Sequence, residues 1–568
     1  MIVTAGDDDG AAVQLPDGHR VDRAGVGSVC GDTPRKYACW LVRGRGIVRS
    51  SNVLNSELRP ATSNRVLRGL ALRIQEALSD AFSTRPAQID NGDEALYADK
   101  SGTYTKGILQ SAIGLVDPAA YQSFKSALSS GTPADFEKII LGGPRKLNGP
   151  QGGLAFYLDC LDSSQFAVPP APALASEAYA TELVELYWAS LLRDVAFTTY
   201  PANSTAAQAA AELSSLPAYV GPRNAAGQVT PELLFRSGFA GETTGPYVSQ
   251  FLLQDTALGS LPIVQRYVTN EAGRDFMTVA DEFMAVQNGM DTGNKLMHGS
   301  KLYLHDARGL AAYTHDDVLY QAYFIAYLVL NTINAPLNPG NPYMGSKTQN
   351  GAATLGRPDI AATLAAVAGE ALRAVWYQKW WVHLRHRPES GGAIVHLLKT
   401  GRGGTIEGHA SETVLNSHAV EAAFQANNSY FLSQAFPEGA PVHPAYPTGH
   451  GAVAGACITA LKFFFDGNLP IRKPLAPSAD GTMITPYAAP PGEKPLTVNG
   501  ELHKLACNIS FGHGIHAGIH WRSDTDTSIQ LGESVALSYL QHHARTYNEQ
   551  FRISLKKLDG TIATIINP

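Results

Sequence analysis

The chain has 568 residues, 44% of them hydrophobic, and 44 Lys and Arg against 50 Asp and Glu leave a net charge of −6. That balance excludes non-specific nucleic-acid binding, which needs a basic face, and fits a small or neutral partner. Five cysteines lie scattered without a CxxC pair, which argues against cysteine zinc sites and against a disulfide framework. Cys30 and Cys39 are a minor candidate for a bridge, and Cys457, amid apolar residues, reads as core.

The opening stretch, MIVTAGDDDGAAVQLPDGHR, has no basic n-region and no apolar run, so it does not read as a secretory signal. No run reaches the ~18 apolar residues needed to span a bilayer. The expectation is a cytoplasmic protein without a membrane span. Length alone suggests three or four domains at roughly 150 residues each. No linker, charge run or repeat supports that split. The reading is therefore an irregular region over 1–100 and one large helical domain over 101–568.

Residues 1–100 carry many Gly, Asp, Asn and Ser, with one helix near 64–83. Helical periodicity strengthens afterwards. Over 180–197, Leu183, Leu186, Tyr187, Leu191 and Leu192 share one stripe. A helix starts near Thr205, which is a suitable cap. Residues 275–289, 310–334, 357–384 and 527–547 read as further helices. The segment 316–335 is apolar nearly all round, the mark of a helix inside a bundle. Alternation on both sides of Asp559-Gly560 predicts a C-terminal β-hairpin with a type I′ turn.

Three segments place polar residues in apolar surroundings. In KWWVHLRHRPE, Lys379 and Arg387 lie eight apart, and Pro388 disfavours helix at the residue before it. Eight residues return to within about 80° of one face, and a broken last turn brings both cations to one anion. Read alone, the segment also suits a solvated basic face. In PVHPAYPTGHG, Thr448 is a helix N-cap candidate and Gly449 permits close approach of a ligand. The helix start that follows offers free N–H groups for an anion, and His450 can exchange a proton near pH 7. Read alone, this is equally a capping turn. In GHGIHAGIHWRSD, three histidines suit a metal such as zinc. His520 and Asp524, one turn apart, also suit a carboxylate-held imidazole, a nucleophile or ligand through Nε2. The plain alternative is a His–Asp pair without chemical use.

Taken together, the three segments supply what an oxyanion site requires. In that order they resemble the shared motif of the vanadium-dependent haloperoxidases and the related acid phosphatases: Lys379-x7-Arg387-Pro388, then Pro447-Thr448-Gly449-His450, then His520-x3-Asp524. AFPEGAPVHPAYPTGH (435–450), GIHWRSDT (518–525) and HDARGLAAYTHDDVLYQAYF (305–324) extend the resemblance to the algal and cyanobacterial bromoperoxidase branch. The resemblance covers residues 270–568 well and the N-terminal half loosely. It implies a mainly α fold of two four-helix bundles with vanadate at one end.

Carried over by position, the resemblance makes His520 the metal ligand. Lys379, Arg387, Thr448 and Gly449 hold the vanadate oxygens, and His450 is the acid–base residue. His443 stands where this branch has a second histidine, which favours bromide or iodide over chloride. The implied partners are hydrogen peroxide, the halide and small organic acceptors, and the implied assembly is a dimer or larger. The family's serine is Thr448 here. Its second arginine falls on Gly514, with His513 and His516 as neighbours, and His513 is the residue expected to take over that role. Two other readings remain: a phosphate-ester hydrolase with His520 as nucleophile, and a non-catalytic anion-binding homologue.

Overall fold

The computed structural model describes residues 64–290, 292 and 297–568, with the strands Val13–Gln14 and Arg20–Val21. Cys30 and Cys39 lie outside the described residues, as does most of the region read as irregular. Two units separate, Met1–Ser83 and Thr84–Pro568. The first contains α1 (Arg65–Phe82), in line with the helix read near 64–83.

In the second unit the helices of eight or more residues follow in order: α2 (Pro118–Ser130), α3 (Glu177–Leu191), α4 (Ser204–Ser215), α5 (Ala280–Gln287), α6 (Ala307–His315) and α7 (Gln321–Thr332). Then come α8 (Arg357–Tyr377), α9 (Pro388–Lys399), α10 (His418–Asn427), α11 (Gly449–Phe464), α12 (Val498–Phe511) and α13 (Arg522–Ala544). Among the described residues, strands form only two-stranded antiparallel pairs. The fold is mainly α, as the sequence indicated.

Helices α8, α11, α12 and α13 pack into one bundle, with α11 buried along its whole length. Around α3 gather α4, α9 and α10, a second group of four. Among the described residues, the helical run Arg357–His383 is the one long and apolar enough to cross a membrane by composition. Here it packs against α11 and α13.

Three local expectations change. The helix read over 310–334 is broken between His315 and Gln321, where Asp316 and Asp317 fall. The segment α7 that follows is buried nearly all round, as its composition demands. The cap of α4 is Asn203 rather than Thr205, because its Oδ1 accepts the Ala206 N–H at 2.9 Å. The C-terminal strands Phe551–Lys556 and Ile562–Asn567 pair as a hairpin. Their turn is not type I′. Gly560 N–H donates to Lys557 O and only Gly560 has positive φ (85°), a type I turn closed by a glycine bulge.

A glycine seam sets the site's geometry. A Cβ on Gly455 would lie 1.9 Å from Ile529 O, and one on Gly532 would lie 1.9 Å from Ala452 O. Helices α11 and α13 therefore touch backbone to backbone, and their N-termini start side by side. Thr448 N–H donates to Asp524 O at 3.1 Å across that start. Gly532→Val is expected to destabilise the fold by about 1–3 kcal/mol through overpacking, measured as a lower Tm.

The buried histidines set the pH response. Burial lowers His383, His503 and His516 to about 3 and His386 to about 4. Each takes its proton near 6.5 when unfolded. Below that pH the unfolded chain binds more protons, so stability held above about pH 6.5 falls as the solution is acidified. Asp93 and Asp526, raised by burial to about 6 and about 7, oppose this with fewer groups. Denaturant midpoints are expected to fall steadily from pH 6.5 to 4.

Candidate active site

The first cation comes from the end of α8. The helix continues as a π turn, Gln378–His383, and stops at Leu384, whose φ is +44°. Pro388 does not end this helix; it opens α9, a position where its missing N–H costs nothing. The reversal between the two helices brings Lys379 and Arg387 to the same place. Both are buried.

Neither cation meets a carboxylate. Lys379 Nζ donates to the Pro444 and Ala445 carbonyls at 2.7 Å each. Arg387 donates through Nε to His443 O and through Nη1 to Ile519 O, both at 2.9 Å. Burial, reinforced by Arg387, holds the Lys379 amine well below its usual value. Burial also lowers Arg387, to about 10. An anion placed here would reverse both shifts.

His520 is buried against these cations. Arg387 Nη1 lies 2.9 Å from its Nε2, and Asp524 Oδ2 lies 2.9 Å from its Nδ1. An arginine only donates, so Nε2 carries the lone pair and Nδ1 the proton. Burial, then Arg387 and Lys379, keep the ring neutral, far below the usual imidazole range. His443 Nδ1 lies 3.0 Å from Arg387 Nη2 and 3.1 Å from Pro444 O, and burial with the same cations keeps the ring neutral.

Thr448 is the N-cap of α11 by position, but its hydroxyl caps nothing. Its Oγ1 is fully buried and has no hydrogen-bond partner. The first N–H groups of α11 have no intrahelical acceptor either. A Cβ on Gly449 would lie 3.3 Å from Leu372 Cδ1, so glycine lets the start of α11 lie close against α8. His450 Nε2 is 2.9 Å from Asp317 Oδ1.

His513 stacks on His450, ring centroids 3.6 Å apart, and lies 5.7 Å from the His520 ring. Its Nδ1 has no partner. Burial, with His450 and His520 alongside, pushes its basicity well down, so the ring beside them is neutral rather than a cation. His516 faces elsewhere: its Nε2 meets Tyr247 Oη at 3.1 Å. The three histidines thus do not converge on a zinc ion, and among the described residues no cluster of three His, Cys, Asp or Glu is arranged for one. A Cβ on Gly514 would lie 2.8 Å from Thr525 Cγ2 and 3.1 Å from His520 Cβ, so position 514 has no space for a longer side chain.

Three residues beside the site carried no reading in the sequence: Asp317 at His450, Arg385 on Asp524 Oδ1, and Glu182 on Arg385. Asp317 had a signal in the two aspartates interrupting a helical pattern. Arg385 stood inside the quoted HLRHR segment. Glu182 had none beyond a glutamate beside an apolar stripe.

These features suit a tetrahedral oxyanion. Two buried cations lack counter-ions, one hydroxyl lacks a partner, and one imidazole lone pair points into the cradle. A model of the VCPO second helical-bundle domain matches residues 359–549, which hold every residue of the cradle. A vanadium-dependent bromoperoxidase of Corallina officinalis is 31% identical over 84% of this chain and 94% of its own. The chain belongs to the vanadium-dependent haloperoxidase family. The vanadium-dependent bromoperoxidase of Ascophyllum nodosum is 29% identical over 84% of this chain and 87% of its own. The homohexameric structure of a second vanadate-dependent bromoperoxidase from Ascophyllum nodosum superposes with a TM-score of 0.84. It is 27% identical, covering 92% of this chain and 93% of that one.

A haloperoxidase cradle built from unpaired cations is stabilised by the anion it binds. Orthovanadate at a hundredfold its Kd is expected to stabilise the protein by ~2.7 kcal/mol, read as a rise in Tm. Lys379→Met is expected to abolish the rise.

Proposed function

We propose that this protein uses hydrogen peroxide and a bound vanadate to oxidise bromide or iodide to hypohalous acid, which then halogenates small organic acceptors. The observation that carries this reading is the pair of buried, carboxylate-free cations, Lys379 and Arg387, around the Nε2 lone pair of His520. The relatives named as vanadium-dependent bromoperoxidases support it.

Bound vanadate would supply Lewis acidity toward peroxide without changing its oxidation state. His520 Nε2 would hold the metal. Lys379, Arg387, the Thr448 hydroxyl, the Gly449 N–H and His513 would hold the oxygens. The net reaction takes halide, peroxide and one proton to hypohalous acid and water. His450, oriented by Asp317, exchanges that proton at the cradle's rim. His443, kept neutral behind Arg387, favours bromide or iodide over chloride. The homohexameric neighbour supports assembly into a homo-oligomer.

The test is bromination of a dye by peroxide and bromide, with and without orthovanadate. Vanadate-dependent turnover is expected, and its absence at every pH from 5 to 8 would overturn the reading. His520→Ala is expected to lose that turnover. His513→Arg adds a permanent charge where a neutral ring stands, and is expected to tighten vanadate binding. Gly514→Arg is expected to weaken it, because its side chain displaces His520. Equilibrium titration with orthovanadate distinguishes the two variants.

A further inference from the structure

Behind the ligand imidazole lies a charged chain that the cradle itself does not explain. Asp524 is fully buried and both its oxygens are occupied. Oδ2 receives His520 Nδ1–H at 2.9 Å and Trp521 N–H at 3.1 Å. Oδ1 receives Arg385 Nη1 at 2.7 Å. Arg385 Nη1 also donates to Ser523 Oγ at 2.8 Å, and Nη2 donates to Glu182 Oε2 at 2.9 Å. Glu182 in turn accepts the Ser523 N–H at 2.7 Å. The Arg385 guanidinium lies 4.7 Å from the Trp521 ring centre, and its backbone carbonyl accepts the Ala445 N–H.

We propose that Arg385, anchored by Glu182, is a positioning residue that holds the Asp524 carboxylate, and through it the His520 ring, in the orientation whose Nε2 lone pair faces the cradle. This inference rests on the proposed vanadate site. Two physical reasons support it. A carboxylate held at one oxygen only is free to rotate and to offer either oxygen to the imidazole. With Oδ1 committed to Arg385, Oδ2 has one orientation, and the imidazole follows it. Second, an ionised Asp524 near Lys379 and Arg387 would draw on their charge. Arg385 gives Asp524 a direct counter-ion, so the carboxylate does not need to bond either cradle cation. Arg385 is shared with Glu182, so two carboxylates and one guanidinium leave no positive charge beneath the site. A lysine at 385 would reach one partner but not form the fork or stack on Trp521.

The test uses Arg385→Lys and Glu182→Gln in the full chain, freed of cofactor. Orthovanadate affinity is measured by titration calorimetry, with inorganic phosphate as a second probe. The order of the His520 ring is read from its Nδ1–H resonance, assigned by its loss in His520→Gln. Arg385→Lys is expected to weaken vanadate binding about ten- to a hundredfold. The peroxide KM of the saturated enzyme is expected to stay put. The single Nδ1–H resonance is expected to broaden or split as the Asp524 carboxylate loses its fixed orientation, and Glu182→Gln to act in the same direction more weakly. A purely structural role would lower Tm while leaving the Kd and the Nδ1–H resonance of the folded protein unchanged, and that result overturns the proposal. If Arg385→Lys does not fold, Glu182→Gln decides by the same readings. If the unsubstituted protein binds no vanadate, the functional reading fails, and the Nδ1–H resonance still tests the role of Arg385.

Discussion

Two cations are buried at the junction of α8 and α9 with no carboxylate in contact, and much of the surrounding architecture accommodates that fact. Moving a charge out of water is expensive unless it is paired. Here Lys379 and Arg387 are held by backbone carbonyls of Pro444, Ala445, His443 and Ile519. Carbonyl dipoles steady a cation without neutralising it. The site therefore keeps its positive field for a ligand, at some expense to the stability of the fold. Burial, with the same field added to it, keeps His443 and His520 uncharged, and a neutral imidazole is the form that ligates.

Placing those carbonyls demands stiff chain. The PVHPAYPTGHG loop approaches Lys379 with consecutive carbonyls while its end starts α11. The glycine seam between α11 and α13 lets two helix starts lie in contact, so that Thr448 and Asp524 are hydrogen-bonded neighbours. Larger side chains along the seam would separate the loop from His520. The packing of the bundle interior and the geometry of its functional end are thus one problem. The interruption between α6 and α7 belongs to it too, since it presents Asp317 to His450.

Much of this was legible in the sequence. Many of the helices followed from periodicity, although α2, α9, α10 and α12 did not, and the order of the three polar segments indicated an oxyanion site. The helix start at Thr448 and Gly449 was legible in position, because residue preferences at a helix start are local, although the Thr448 hydroxyl caps nothing. Element boundaries were less so. The break at Asp316 and Asp317, the reversal at Leu384 and the Asn203 cap depend on competition between adjacent residues that a periodic pattern averages out. Arg385 and Glu182 could not be paired from sequence, because 203 positions separate them.

The sequence by itself determined the inventory: two cations, a hydroxyl, a glycine-led helix start and a His–Asp pair one turn apart. Those choices rest on residue type and short spacing, which local geometry converts directly into position. Tertiary structure alone decided the rest. It turned His513 toward His450 and His516 toward Tyr247, although both sit on the same short turn. It closed position 514 to any large side chain. It left Thr448 without a partner and gave Asp524 a second one. Each of these depends on burial and on contacts between distant segments, and no local rule of the chain encodes either.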